Sequence, residues 1–334
     1  MIRRLIALIG AALMSVCLFS CTMTEIPEKE VVCKVKVPPK MMFLGDSRAA
    51  GYGLDGYTDS DNSKCRSYPN ILKERYEEEL GGECGHTMIN NAVSGYTSDD
   101  LIAQLRSGAL DDQLGDCDAV VVSIGGNDLL DIMLQLMKNM GITEKGAFDK
   151  GEIDIFSAAS AFMSMSGDIE DALEHFNDNI KVISDELSSR TDGAIFIQTL
   201  YDPLEYFSQF TMVTDYSKEK IGKLNTIIYE NASGRYNVIG AAEDFRGKAG
   251  ELTRIGDFDI HPNAAGHEAI AEDVDRALRA EGFTYTTTVR GEKRLTADGK
   301  KVIAGGITGG AVFIAAVISA VIVSAKKKKV KSSE

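Results

Sequence analysis

Residues Ala119 to Ile124 read Ala-Val-Val-Val-Ser-Ile, an apolar run without the alternation of a half-exposed strand. A strand this uniform is covered on both faces, which in practice means helices above and below a parallel sheet. The rest of the chain supplies the pieces. Buried strands are expected at Met41–Leu44, His86–Val93, Ala119–Ile124, Ala194–Thr199 and Tyr236–Gly240. Helical spacing is found at Tyr68–Leu80, Ser98–Ser107 (capped by Ser98 or Asp99), Asp168–Ser189, Ser217–Ala232 and Asn263–Glu281. Strict alternation of strand and helix implies one α/β domain, residues 41–282, built on a doubly wound parallel sheet. Ligands of such sheets bind beyond the carboxyl ends of the strands, so residues that directly follow strands come first.

Both ends of the chain look different from this middle. Arg3 and Arg4 precede an apolar stretch from Leu5 to Phe19, followed by Ser20 and Cys21. That pattern is a secretory signal over residues 1–21. Leu18-Phe19-Ser20-Cys21 is similar to a lipobox, which would make Cys21 a lipidated N-terminus; cleavage without lipidation is the alternative. Val302 to Ala325 carries no charge, and Lys326, Lys327, Lys328, Lys329 and Lys331 follow. A stretch of spanning length with a basic flank predicts a transmembrane helix over 302–325, with residues 326–334 as a cytoplasmic tail. Residues 22–40 then read as a tether and 283–301 as a polar stalk, and the domain between them faces the outside of the cell membrane. The net charge is −14 although both ends are basic, so the middle is more acidic still. A nucleic-acid partner is therefore not expected.

Six cysteines are present. Cys33, Cys65, Cys84 and Cys117 fall in the exported part, where they form disulfides in one of three pairings or remain free thiols. No close pair of cysteines suggests a metal site. Leu129 to Met165 breaks the alternation and is rich in methionine (Met133, Met137, Met140, Met163, Met165). Helices packed on the core are the first expectation there, and a lid or acyl-binding wall the second.

Three strand-end motifs carry chemistry. The first strand stops on Gly45-Asp46-Ser47. A serine hydroxyl at such a turn is a candidate nucleophile if a base takes its proton; alone, the tripeptide is an ordinary turn with a helix-capping serine. The third strand runs into Gly125-Gly126-Asn127-Asp128. Asn127 and the backbone of Gly95, in Ser94-Gly95-Tyr96-Thr97, are candidate oxyanion donors. Of four histidines, His261 stands before Pro262-Asn263 at the start of the last helix, on the same rim, and is the candidate base. His86 and His175 read as packing or surface residues, and His267 as partly exposed.

These four blocks, in this order, resemble the SGNH hydrolases, the GDSL esterases and lipases, over about residues 41–281. The resemblance implies a flavodoxin-like three-layer α/β/α sandwich. It also implies Ser47 as nucleophile, His261 as base, and the Ser47 amide, Gly95 and Asn127 as the oxyanion hole. The family places its acid three residues before the histidine, and here that position is Phe258. Asp257 is the expected replacement; Asp259, or a backbone carbonyl in a Ser-His dyad, is the alternative. No Gly-x-Ser-x-Gly elbow is present, against an α/β-hydrolase. The expected activity is hydrolysis of carboxylic esters without metal or cofactor, with glycan O-acetyl esters ahead of lipid or lysophospholipid acyl esters. An inactive glycan-binding module on the same fold is the non-enzymatic alternative.

Overall fold

The computed structural model describes residues 24–81, 86–129, 132, 155–209, 211–301 and 303–304. Residues 32–285 form one compact unit, and the described residues on either side belong to a second. The main sheet of the larger unit has five strands: β1 (Lys40–Gly45), β2 (Thr87–Asn90), β3 (Ala119–Ser123), β4 (Ala194–Gln198) and β5 (Asn237–Ile239). They form one sheet in the order β2-β1-β3-β4-β5, and every neighbouring pair is parallel. All carboxyl ends therefore share one rim. The helices include α1 (Ser47–Ala50), α2 (Tyr68–Leu80), α3 (Ser98–Arg106), α4 (Ile155–Ser188), α5 (Thr211–Glu230) and α6 (Ala264–Glu281).

The period of two along the strands divides the core. Met42, Leu44, Val120, Val122, Ile195 and Ile197 pack in one cluster with Leu105 of α3, Ile180 of α4 and Leu224 of α5. Their neighbours Met41, Phe43, Ala119, Val121 and Phe196 pack in the other, with Tyr68 and Leu72 of α2 and Ile270 and Val274 of α6. This is the three-layer α/β/α sandwich that the resemblance implies, on the doubly wound parallel sheet expected from the alternation. From β1 the chain goes to β2 on one side and later to β3 on the other. The sheet's switch point, where such folds open a crevice, thus lies between β1 and β3.

Several boundaries differ from the sequence reading. The cap of α3 is Thr97, not Ser98 or Asp99. Its amide donates to Asp100 Oδ2 (3.0 Å) and its hydroxyl accepts from the Asp100 amide, a reciprocal capping box. Residues read as tether and stalk contain strands instead: Glu28–Val35 pairs with Phe283–Arg290, and Thr24–Glu25 pairs antiparallel with Arg294–Leu295. The threonines of Phe283–Arg290 look like a stalk by polarity, but β-branched residues suit a strand. His267 is fully buried rather than partly exposed, and its Nδ1 accepts from the Tyr68 amide (3.2 Å). Burial first, then the charges of His261 and Arg254, pushes its pKa down to about 3, so it is neutral.

Cys33, Cys65 and Cys117 are free thiols. Cys84, Cys21, the Leu5–Phe19 segment, Met133, Met137, Met140 and, apart from Ile303 and Ala304, the Val302–Ala325 segment lie outside the described residues. Among the described residues no helix is long and apolar enough to cross a membrane.

One close approach fixes the switch point. Gly45 ends β1 with φ of +116°, and a Cβ built on it would fall 1.8 Å from the Ser123 carbonyl oxygen of β3. Neither the conformation nor the space admits a side chain. Gly45→Ala should therefore cost about 3 kcal/mol or more, combining backbone strain with overpacking. Urea denaturation checks this, and a loss under about 1 kcal/mol, typical of any point change, would contradict it.

Candidate active site

The hydroxyl of Ser47 is set by the end of β1. The Asp46 amide donates to the Ser123 carbonyl (2.8 Å), and the Ser123 hydroxyl donates to Asp46 Oδ1 (2.6 Å). The same Oδ1 accepts from the Arg48 amide (3.1 Å), so Asp46 caps the single-turn α1. Gly51, left-handed at φ of 84°, closes that turn by donating to the Ser47 carbonyl (2.9 Å). Ser47 is thus held at the first position of a helical turn, 7% exposed, directly over the switch point.

His261 arrives from the other end of the domain. A short antiparallel hairpin, β6 (Thr253–Arg254) with β7 (Asp259–Pro262), carries it. The Tyr201 hydroxyl, beyond the end of β4, donates to the Ile260 carbonyl (2.9 Å) and pins β7. Asn263 then caps α6 by accepting from the Gly266 amide (3.0 Å). The outcome is a bond between His261 Nε2 and Ser47 Oγ of 2.9 Å.

The carboxylate on the far side of the ring is Asp259, not Asp257. Asp259 Oδ1 lies 2.5 Å from His261 Nδ1 and also accepts the His261 amide (3.0 Å). Asp257 sits exposed in a tight turn, Ile255–Asp257. The reason is the period of the strand. Residues two apart share a face, so Asp259 and His261 point the same way once Asp259–Pro262 is extended. Phe258 makes the break, left-handed at φ of 60° with its ring 5.6 Å from Phe207. Burial works to raise the Asp259 carboxyl, but hydrogen bonds from His261 and the charges of His261 and Arg254 outweigh it and hold it below the ordinary value. With an ionised Asp259 at Nδ1, the proton of a neutral ring sits there, and Nε2 is left to accept that of Ser47.

The two oxyanion candidates are tied together. Asn127 Nδ2 donates to the Tyr96 carbonyl (2.8 Å), which leaves the second amide hydrogen available. Gly95, beside Tyr96, is left-handed at φ of +87°, and a Cβ there would meet nothing within 4 Å. Asp128 accepts from the Ser98 amide (3.1 Å) and from its hydroxyl, locking the start of α3 to the Asn127 loop. Asn179 of α4 donates to the same Ser98 hydroxyl (2.8 Å).

Ser47, Asn127 and His261 open onto one pocket of about 90 Å³, with Leu129, Leu200, Leu204 and Ile221 among its apolar lining. Tyr52 stands outside that pocket with its ring 4.6 Å from the His261 ring. Sequence reasoning missed Tyr52, Tyr201 and Arg254, whose contacts with the His261 ring, the Ile260 carbonyl and the Gly53 carbonyl each join distant parts of the chain. His86 bonds to the Pro39 carbonyl (2.9 Å) and His175 to Asp99 (2.8 Å), away from the site. Among the described residues no cluster of three side chains could hold a metal ion.

A model of the GDSL-like lipase/acylhydrolase family matches residues 43–269. The chain belongs to that family. Its chemistry is that of a carboxylic ester hydrolase. It is 24% identical over 201 residues to the uncharacterized protein YpmR of Bacillus subtilis (strain 168), covering 58% of this chain and 67% of that one. An extracellular lipase from Streptomyces rimosus superposes with a TM-score of 0.52 at 18% identity, over 71% of this chain and 99% of the lipase. The lipase Lip_vut3 from a goat rumen metagenome does so at 0.51 and 19% identity, over 71% and 96%. At these identities the likeness is one of fold. As a GDSL hydrolase, the protein should lose roughly 10⁴-fold in kcat on Asp259→Asn, the loss seen when a triad acid is neutralised. Asp257→Asn should stay within about threefold, as an exposed carboxylate outside the relay would. The reverse ranking in steady-state assays would return the role to Asp257.

Proposed function

We propose that this GDSL hydrolase cleaves short-chain carboxylic esters through an acyl-enzyme on Ser47. His261 takes the Ser47 proton as the hydroxyl oxygen attacks the acyl carbon, and Asp259 holds the resulting imidazolium. The oxyanion is met by the Ser47 amide, the Gly95 amide and the free hydrogen of the Asn127 side chain. His261 returns the proton to the leaving alcohol. Water, deprotonated by the same ring, then releases the acid. The observation that carries this reading is the continuous Asp259–His261–Ser47 chain of hydrogen bonds, at 2.5 Å and 2.9 Å, ending in an apolar pocket.

The pocket also bears on the acyl group. At about 90 Å³ it is smaller than the dry cavity of about 150 Å³ that holds benzene in another protein. A group of two to four carbons suits it, which supports an O-acetylated glycan as substrate. The apolar lining supports a second reading, the acyl chain of a lipid. Ser47→Ala should abolish turnover, by roughly 10⁶-fold as for other serine nucleophiles, with the thermal transition preserved. In a series of nitrophenyl esters kcat/KM should peak at acetyl to butyryl. A peak at octanoyl or longer would replace the glycan with the lipid.

The proposal extends to location. The uncharged Val302–Ala325 segment with its lysine flank and the signal over residues 1–21 support a domain tethered outside the cytoplasmic membrane, with the last residues inside. A chain ending at Lys301 with Cys21→Ser should be released in soluble form. Its persistence in the membrane fraction would contradict the topology.

A further inference from the structure

Arg254 has no place in the relay, yet it closes the network behind it. It faces Asp259 across the β6–β7 hairpin, in register with it. Its Nη2 donates to Asp259 Oδ2, the oxygen that His261 does not use, and its Nη1 donates to the Gly53 carbonyl. Gly53 belongs to the loop that leaves α1 and carries Tyr52, whose amide donates to the Ser47 carbonyl (3.0 Å) and whose ring lies against His261. One guanidinium thus joins the acid of the relay to the loop that follows the nucleophile. The space is made for it: a Cβ on Gly53 would fall 1.5 Å from Arg254 Nη2.

We propose that Arg254 is a positioning residue for hydrolysis, holding Asp259 by its outer oxygen so that the inner one faces His261, and latching the Tyr52 loop over the ring. The proposal rests on the reading of Ser47, His261 and Asp259 as the hydrolytic relay. Two consequences follow from charge. A carboxylate shared with a cation stays ionised while partly buried. It also attracts an imidazolium less than a bare carboxylate would. The other groups around the ring do not substitute for it. Asp46 and Arg48 on α1 pair with each other at 3.5 Å, and Arg48 Nη1 is committed to the Thr199 carbonyl at 3.1 Å. Tyr201 is engaged with Ile260, His267 on α6 is neutral, Tyr52 is an uncharged ring, and Asp257 is exposed in its turn.

The test is the pH profile of kcat/KM on a nitrophenyl ester for the full chain and the variants Arg254→Gln, Arg254→Lys and Gly53→Ala, with Ser47→Ala as control. Removing the cation should lift the acidic limb by up to about one pH unit, since Asp259 left alone pulls harder on a protonated ring and Arg254 reaches the ring only through it. In Arg254→Gln kcat should fall about tenfold to a hundredfold from misplacement, with KM within about threefold. Arg254→Lys should return the limb to within a few tenths of a unit, because the charge is kept. Gly53→Ala, which evicts the guanidinium without touching its charge, should lift the limb as Arg254→Gln does. An acidic limb that stays in place in Arg254→Gln overturns the proposal while leaving the relay intact. Activity retained by Ser47→Ala overturns both. If Arg254→Gln fails to fold, the other two variants decide: a limb raised only in Gly53→Ala supports the proposal, and the same limb in both overturns it.

Discussion

Everything in the site hangs from the contact between the last residue of β1 and the last residue of β3. Gly45 lies so close to the Ser123 carbonyl that only hydrogen fits between them, and Asp46 then bonds to Ser123 through both its amide and its carboxylate. That junction aims Ser47 outward, and it fixes where β3 delivers Asn127. A sheet alone would place both residues on one rim with ångströms of freedom. Catalysis by positioned donors tolerates far less.

Around that junction the site is assembled from clamps rather than from one rigid element. Asp128 and Ser98 hold the Asn127 and Gly95 loops to each other, and Tyr201 holds the strand that bears His261. Each clamp is a carboxylate or hydroxyl bonded to backbone, in a region where an unmet partner would be costly. Burial raises the Asp128 carboxyl, and the Ser98 bonds counter that without reversing it. The buried polar groups here serve geometry; the apolar stabilisation comes from the two layers on either side of the sheet.

The fold was legible because its signal is local and repeated. Five apolar runs alternating with helical spacing leave few architectures, and the observed strand order is one of them. Ser47, Asn127 and His261 were legible because each follows a strand or precedes a helix. The acid was not. Asp257 and Asp259 both flank Phe258, and which of them meets the ring depends on whether the stretch is extended. Extension is what brings Asp259 to His261, since positions two apart lie on one face. The hairpin itself is too short and too polar to show in a pattern. Arg254 and Gly53 are separated by 201 residues and carry no mutual signal in one sequence. The cap of α3 was readable, since Thr97 and Asp100 have capping-box spacing, but Ser98 and Asp99 beside them are equally good capping residue types.

The order of the parts along the chain has its own consequence. Ser47 and His261 are 214 residues apart, and the histidine comes on a hairpin that follows all five strands of the sheet in the chain. During synthesis the serine proposed as nucleophile is made early and its proposed base near the end. A nascent, truncated or half-unfolded chain therefore holds an inert serine. Turnover by the proposed relay would report a completed domain.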